Sequence, residues 1–175
     1  MQIGLTNLWA EYNFFMKRIK LSGKLGNGKF VIVDDKDFLL LNTHSWFLAQ
    51  SGYAFAHPLN THIDTPLVSM HRLILNPPKG FFIDHINRNK LDNRRCNLRI
   101  ASKGQNSMNR PKQKGKYSSI YKGAIWDKGN NRWRSRISLN QKVIYIGVFK
   151  TAIEAAKAYD LKAKELFGEF AVVNF

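Results

Sequence analysis

Residues 84 to 109, DHINRNKLDNRRCNLRIASKGQNSMN, constrain this chain more than any other stretch. The apolar run FFID that ends at Asp84 reads as a strand, because the PPKG turn at 77 to 80 punctuates the chain just before it. Beyond a polar loop, NLRI from Asn97 to Ile100 reads as a second strand. Ser102 with Gln105 three residues later forms a capping box, which predicts a short helix that Pro111 stops. The local order is strand, polar loop, strand, helix, and it strings Asp84, His85, Asn97 and Asn106 along one unit of chain.

Those four side chains match the needs of phosphodiester hydrolysis, which requires a base to activate water, a cation to neutralise the crowded phosphorus, and a group that fixes the tautomer of the base. His85 titrates near neutral pH and is the candidate base, with the side-chain oxygen of Asn97 as the candidate acceptor holding its ring. Asp84 and Asn106 each offer a hard oxygen to a divalent ion; magnesium takes one or two protein oxygens and completes its shell with phosphate and water. A plainer reading stands beside this one. An Asp-His pair also occurs at ordinary turns, and Asn87, Asn89, Asn93 and Asn97 suit Asx turns and caps. Neighbours on a regular strand point to opposite faces, so Asp84 and His85 can share a site only if the strand ends or twists there.

The net charge of +16 on 175 residues, with an isoelectric point near 10.1, points to a polyanionic partner. No apolar run approaches the roughly 20 residues of a spanning helix. The opening MQIGLTNLWAEYNFFMKRIK lacks the basic-then-apolar order of a secretory signal. The expectation is a soluble, intracellular (cytoplasmic) protein. Cys96 is the one cysteine, which excludes an internal disulfide and a cysteine-based zinc knuckle and predicts a small buried or half-buried side chain. His44, His57 and His62 have no metal-ligand spacing, and His71 is read as packing ahead of function.

Residues 1–24 read as an N-terminal extension, with Met16 a second candidate start. Residues 25–110 form the next expected domain, with strands at Phe30 to Val33, Trp46 to Leu48, Gly52 to Ala56 and Leu67 to Met70 and a helical turn at Asp37 to Leu41. Residues 111–119 are basic and poor in apolar side chains, as a solvated linker is. Residues 120–175 then give strands at Tyr121 to Trp126, Arg132 to Leu139 and Lys142 to Phe149. A helix follows from a second capping box, Thr151 and Glu154, with Ile153, Ala156, Tyr159, Ala163 and Phe167 on its apolar face and Gly168 at its end. Alternation turns Trp133, Ile137, Leu139, Ile144, Ile146 and Val148 toward the helix, and Arg134, Arg136, Ser138, Val143 and Tyr145 outward. Lys103 to Lys150 holds twelve Lys or Arg and a single acid, Asp127, so the outer arginines are expected to lack acidic partners and to favour a salt-sensitive polyanion contact.

The pattern DHINxNxLDNRxxNLRxxxxxQN, complete here from Asp84 to Asn106, resembles the HNH (ββα-metal) endonucleases of the phage and intron-associated branch over roughly residues 67 to 110. The resemblance implies His85 as general base, Asn97 as the residue orienting it, and Asp84 and Asn106 as ligands of Mg2+ or Mn2+, with no structural zinc. Arg72, just before the motif in MHRLIL, is a candidate phosphate contact. Residues 121 to 175 resemble the Apetala-two/ethylene-response-factor type DNA-binding domain through YKGAIW, Trp133, the GVF turn, the TAIEAAKAYDLKAKELFG helix and the terminal AVVNF. That likeness implies a three-stranded sheet in the major groove, with Lys122 where the family has a contacting arginine and Tyr145 where it has a contacting tryptophan. Arg136 replaces an acidic residue, and Ile125, Ser138 and Val143 replace arginines, so groove placement carries over while the plant base sequence does not.

The expected fold class is α+β: an N-terminal β-rich region with a ββα-metal core, a linker, and a three-stranded antiparallel sheet on one helix. The expected function is a metal-dependent homing-type endonuclease acting on double-stranded DNA in a phage-infected bacterial host. It is expected to be a monomer, with dimerisation as the route to a double-strand break and no membrane partner. The alternative is a non-catalytic, sequence-specific transcription regulator that keeps the nuclease fold as a scaffold.

Overall fold

The computed structural model describes residues 16–59, 66–112, 115 and 117–175. The first fifteen residues, His62 and three linker positions lie outside that set. The fold is α+β, built of small sheets and helices, and it divides into two compact units, residues 1–100 and 101–175.

In the first unit, β1 (Met16–Lys20) pairs antiparallel with β2 (Phe30–Asp34), Met16 opposite Asp34 and Lys20 opposite Phe30. Residues 16 to 20, assigned above to an extension, are therefore part of a sheet, because Ile19 and Leu21 bury against Val31 and Val33. A single turn, α1 (Gly23–Gly26), lies between the two strands, and α2 (Asp35–Leu41) follows β2 directly. Strands β3 (Phe47–Leu48), β4 (Ala54–Ala56) and β5 (Val68–Ser69) make a three-stranded antiparallel sheet. The expected strand through Met70 instead gives way there to α3 (Met70–Leu75), because Met70 and Ile74, one helical turn apart, both enter the core. Asn76 ends α3 in the left-handed region at φ 42°. Trp46 is fully buried, and its indole N–H donates to the Leu41 carbonyl at 2.7 Å.

Strands β6 (Phe82–His85) and β7 (Leu98–Ala101) pair as a two-stranded ribbon, with a short 3-10 turn at Arg95–Asn97 leading into β7. Ile83 and Leu98 from this ribbon complete the first unit's core. Cys96, expected to be at least half-buried, is exposed.

The second unit begins with α4 (Lys103–Met108), whose capping box is formed as the sequence predicts: Ser102 Oγ accepts from the Gln105 N–H and Gln105 Oε1 from the Ser102 N–H. Strands β8 (Ala124–Asp127), β9 (Arg132–Leu139) and β10 (Lys142–Phe149) form an antiparallel sheet in the order β10-β9-β8. It packs on α5 (Ala152–Phe167), opened by the Thr151–Glu154 box. Ile137, Tyr159, Ala163 and Phe167 form its core, joined by Met108 of α4. Two facing assignments are corrected. Ile153 is 48% exposed, and Ala155 takes its place inside. Val148 points outward, because a bulge between Tyr145 and Gly147 flips the phase of β10 and sends Phe149 inward.

The expected linker folds back on this unit where it is described. Lys112 Nζ donates to the Tyr121 carbonyl at 2.8 Å, and the Ser118 hydroxyl accepts from the Trp126 N–H at 3.0 Å. At the far end, the buried Asp160 carboxylate accepts the backbone N–H groups of Asn174 and Phe175. The Asn174 side chain bridges the N–H and the carbonyl of Lys122. Gly123 then passes flat against Tyr159: at φ 82° a Cβ would lie 2.0 Å from the ring. Gly123→Ala should therefore destabilise the second unit by more than about 2 kcal/mol. Ser135→Ala should do the reverse by ~1 kcal/mol, since the fully buried Ser135 hydroxyl has no hydrogen-bond partner among the described residues. Thermal denaturation of the two variants checks both signs.

Candidate active site

The loop from Ile86 to Asn97 is an ordered polar scaffold. Asn87 Oδ1 accepts from the Asn89 N–H at 2.8 Å and Asn89 Oδ1 from the Leu91 N–H at 3.1 Å, two successive Asx turns. The buried Asp92 carboxylate takes both Arg94 guanidinium contacts, at 2.8 and 2.7 Å, and the Asn87 amide at 2.9 Å. Burial alone would raise the Asp92 pKa; Arg94 and Asn87 outweigh it and hold the carboxyl below its ordinary value. Backbone bonds from the Ile32 N–H to Leu91 and from the Asn93 N–H to Ile32, each 2.8 Å, stitch the loop to β2. Arg95 anchors the loop's end through a two-pronged contact with Asp37 and a backbone bond to Asp34.

Asp84 and His85 are both buried at the end of β6, at 6% and 4% exposure. Ile83, Asp84 and His85 are buried in succession, so strict alternation has already broken down at the strand's end. The Asp84 carboxylate is gripped across the ribbon by Arg99, with Nη2 at 2.7 Å and Nε at 2.9 Å. A metal ligand was expected there; the structure adds a cation already beside it.

The His85 ring is held by a different asparagine from the one expected. Asn97 Oδ1 accepts from the Asn87 N–H at 2.9 Å, and its Nδ2 donates to the Asp92 carbonyl at 2.7 Å, so both polar ends of Asn97 are engaged in closing the loop. Asn93, only 1% exposed, places Oδ1 3.3 Å from His85 Nε2 while its Nδ2 donates to the Lys90 carbonyl at 3.2 Å. That second bond fixes which end of the amide faces the ring. An amide oxygen can only accept, so neutral His85 carries its proton on Nε2 and its lone pair on Nδ1. Burial lowers the His85 pKa, and Asn93, Asp84 and Asp92 recover only part of the shift.

His71 joins this cluster, edge-on to His85 at 5.5 Å between ring centroids, with Tyr53 5.0 Å from His71 and 5.7 Å from His85. Lys90 lies over Tyr53 at 4.4 Å and donates to the Ser51 carbonyl. His71 was assigned to packing, and it does pack, but against the candidate base. Arg72, the candidate phosphate contact, donates to the Phe81 carbonyl at 3.2 Å from an exposed position.

Asn106 lies half-buried on α4 in the second unit, its N–H bonded to the Ser102 carbonyl at 3.0 Å. Among the described residues no cluster of three His, Cys, Asp or Glu side chains forms a metal cage. Of the expected DNA contacts, Lys122 turns inward: its ammonium donates to the Met108 and Arg110 carbonyls at 3.2 and 2.6 Å and so closes the end of α4. Arg134 has an acidic partner after all, Asp127, because the β8–β9 turn brings the two together. Arg136 and Tyr145 are exposed and directly opposite each other on β9 and β10. Asn93, Arg99 and Asp92 were present in the sequence pattern without a role; pairing across the ribbon and closure of the loop give them one.

A family model described as HNH endonuclease matches residues 76–108. A protein of Acanthamoeba polyphaga mimivirus, described as an uncharacterized HNH endonuclease, is 32% identical over 155 residues, which are 85% of this chain and 76% of that protein. Protein 3.8 of Escherichia phage T7 is 38% identical over 65 residues, 37% of this chain and 53% of its own length. The C-terminal part is similar to an ethylene-responsive transcription factor of Arabidopsis thaliana, at 42% identity over 59 residues, 33% of this chain and 14% of the plant protein.

The buried His85 and half-buried His71 imidazoles give the first unit an acid-sensitive site. Burial, with His85 and Arg72 nearby, lowers the His71 pKa from 6.5 to about 4. The unfolded chain therefore binds a proton in this window that the folded chain refuses, and stability falls as pH drops from about 6.5 toward 4. The loss from His71 should be on the order of 2–3 kcal/mol at about 1.36 kcal/mol per pH unit. Urea titrations at pH 7.5 and 4.5 test this, and a His71→Phe variant should show a shallower pH slope.

Proposed function

Because this chain belongs to the HNH endonuclease family, we propose that it hydrolyses phosphodiester bonds in double-stranded DNA at the site around His85, as a homing-type enzyme whose C-terminal sheet lies in the major groove of its target. The observation that supports this most is the state of His85. Burial keeps the imidazole neutral and Asn93 keeps its proton on Nε2; Nδ1, buried in the protein without DNA, takes the proton of the attacking water once substrate binding opens the pocket around the ring. As the ring becomes an imidazolium, the Asp84 and Asp92 carboxylates stabilise its new charge. Asn97 and Asp92 act one step back, closing the loop that holds Asn93.

The donors fit a hard divalent cation. Asp84 supplies one carboxylate, and Asn106, on the sequence pattern, one amide oxygen. So few protein donors suit magnesium or manganese when DNA phosphate completes the shell. When bound, the ion neutralises the phosphate and stabilises the leaving oxygen. Arg99 offsets the charge of Asp84, which keeps cation affinity low until DNA arrives. The protein works as a monomer that nicks once per binding event, inside a phage-infected bacterial cell. On the outer sheet face, Arg136 and Tyr145 contact DNA, with Arg134 held ready by Asp127.

The Arg99–Asp84 ion pair is also what favours the second reading, a non-catalytic DNA-binding regulator whose metal position has been given over to an internal salt bridge. Supercoiled plasmid with the full-length protein separates the two. Nicking should appear with magnesium or manganese and vanish with chelator. His85→Ala should slow it at least ~100-fold, the usual worth of a general base, with gel-shift affinity retained. Asn93→Ala should also slow nicking without loss of DNA binding. A gel shift with no nicking in either metal would establish the regulator.

A further inference from the structure

Strand β10 holds three apolar side chains in solvent on the sheet face opposite α5. Val143, Tyr145 and Val148 are 59, 57 and 51% exposed. They stand in register with Ser138, Arg136 and Arg134 of β9, in that order. Single exposed apolar side chains are common and need no explanation. This column differs in two respects.

Val148 is outside because of the backbone. In a regular strand it would share the inner face with Ile144 and Ile146; the bulge between Tyr145 and Gly147 turns it outward in exchange for Phe149. The column also lies within a stretch, Lys103 to Lys150, of twelve cations and one acid. That acid, Asp127, is paired with Arg134, while Arg136 makes no ion pair among the described residues. A face that sets Arg134 and Arg136 beside exposed β-branched side chains complements a polyanion that itself displays apolar groups. The major groove of duplex DNA is such a surface: phosphates line its walls, and each thymine projects a 5-methyl group onto its floor.

We infer that Val143 and Val148 read thymine methyl groups on either side of the Arg136–Tyr145 row, so that the target carries two thymines at fixed spacing. This rests on the reading above that the outer sheet face enters the groove. Five residues of extended chain shortened by the bulge separate the two valines by roughly 13–16 Å. A strand following the groove advances along the helix axis by less than its own length, so at 3.4 Å of rise per base pair that is at most about five steps. The bulge sets the register, and removing the valines removes the preference without removing the charge.

The test uses full-length protein with chelator, so that nothing is cut, and a pool of random-sequence duplexes. Sequences recovered after repeated binding should share two thymines at one fixed separation of at most about five steps. Each recovered duplex is then remade with deoxyuridine for deoxythymidine, which deletes the 5-methyl group and leaves base pairing unchanged. Affinity should fall about fourfold per methyl, the worth of one buried carbon. The Val143→Ala, Val148→Ala double variant should bind thymine and uracil duplexes alike, at the level at which the unsubstituted protein binds uracil. Val148→Thr, which keeps one methyl and the β-branch, should retain part of the difference, and Arg136→Ala should weaken binding to both duplexes equally. Equal affinity of the unsubstituted protein for thymine and uracil duplexes, or undiminished discrimination in the double variant, would overturn the inference while leaving the endonuclease reading intact. Failure to bind any duplex at low salt would overturn both.

Discussion

The ion pair between buried Asp92 and half-buried Arg94, with Asn87 on the same carboxylate, is the contact on which the candidate active site depends. A twelve-residue polar loop does not hold one shape by hydrophobic burial. Here backbone bonds, such as those from the Arg88 N–H to His85 and from the Asp92 N–H to Asn89, and side chains returning to the backbone close the turns together, and Asp92 joins them. Its carboxylate ties Asn87 to Arg94, its carbonyl receives Asn97, and Asn97 returns to the Asn87 N–H. Asn93 is fixed within that frame, and through it the His85 ring. Removing Asp92 would take from Asn87 and Arg94 the buried carboxylate they share, which costs more than one lost bond.

The second unit follows a comparable logic at its margins. Lys122 closes the end of α4 with its ammonium and receives Asn174 on its backbone, while Asp160 receives the chain terminus. The sheet between these anchors can then devote its outer face to other contacts. The β10 bulge is the one departure from regular pairing, and it determines which side chains that face presents.

Much of this was legible in the sequence. Both capping boxes, the three C-terminal strands and the α5 helix follow from local patterns that nothing in the tertiary structure overrides. The pattern from Asp84 to Asn106 located the site. It did not distinguish Asn93 from Asn97, because spacing along a loop does not say which amide returns to the backbone and which faces the ring. Neither the pairing of Arg99 with Asp84 nor that of Arg134 with Asp127 is legible in the sequence, for one reason: cross-strand neighbours depend on register. Val148 was misassigned because strict alternation cannot anticipate a bulge. Met70 was read as the end of a strand because a short apolar run suits either structure until the surrounding core selects one.

General-base catalysis at this site requires a neutral His85 that keeps its proton on Nε2 and accepts one on Nδ1. Nitrogen NMR of the ring, in full-length protein labelled at histidine, measures this directly. At pH 7 the spectrum should show a neutral His85 with the proton on Nε2 and a pKa below 6.5, and Asn93→Ala should let the second tautomer appear. An imidazolium at pH 7, or a proton resident on Nδ1 in the unsubstituted protein, would contradict it.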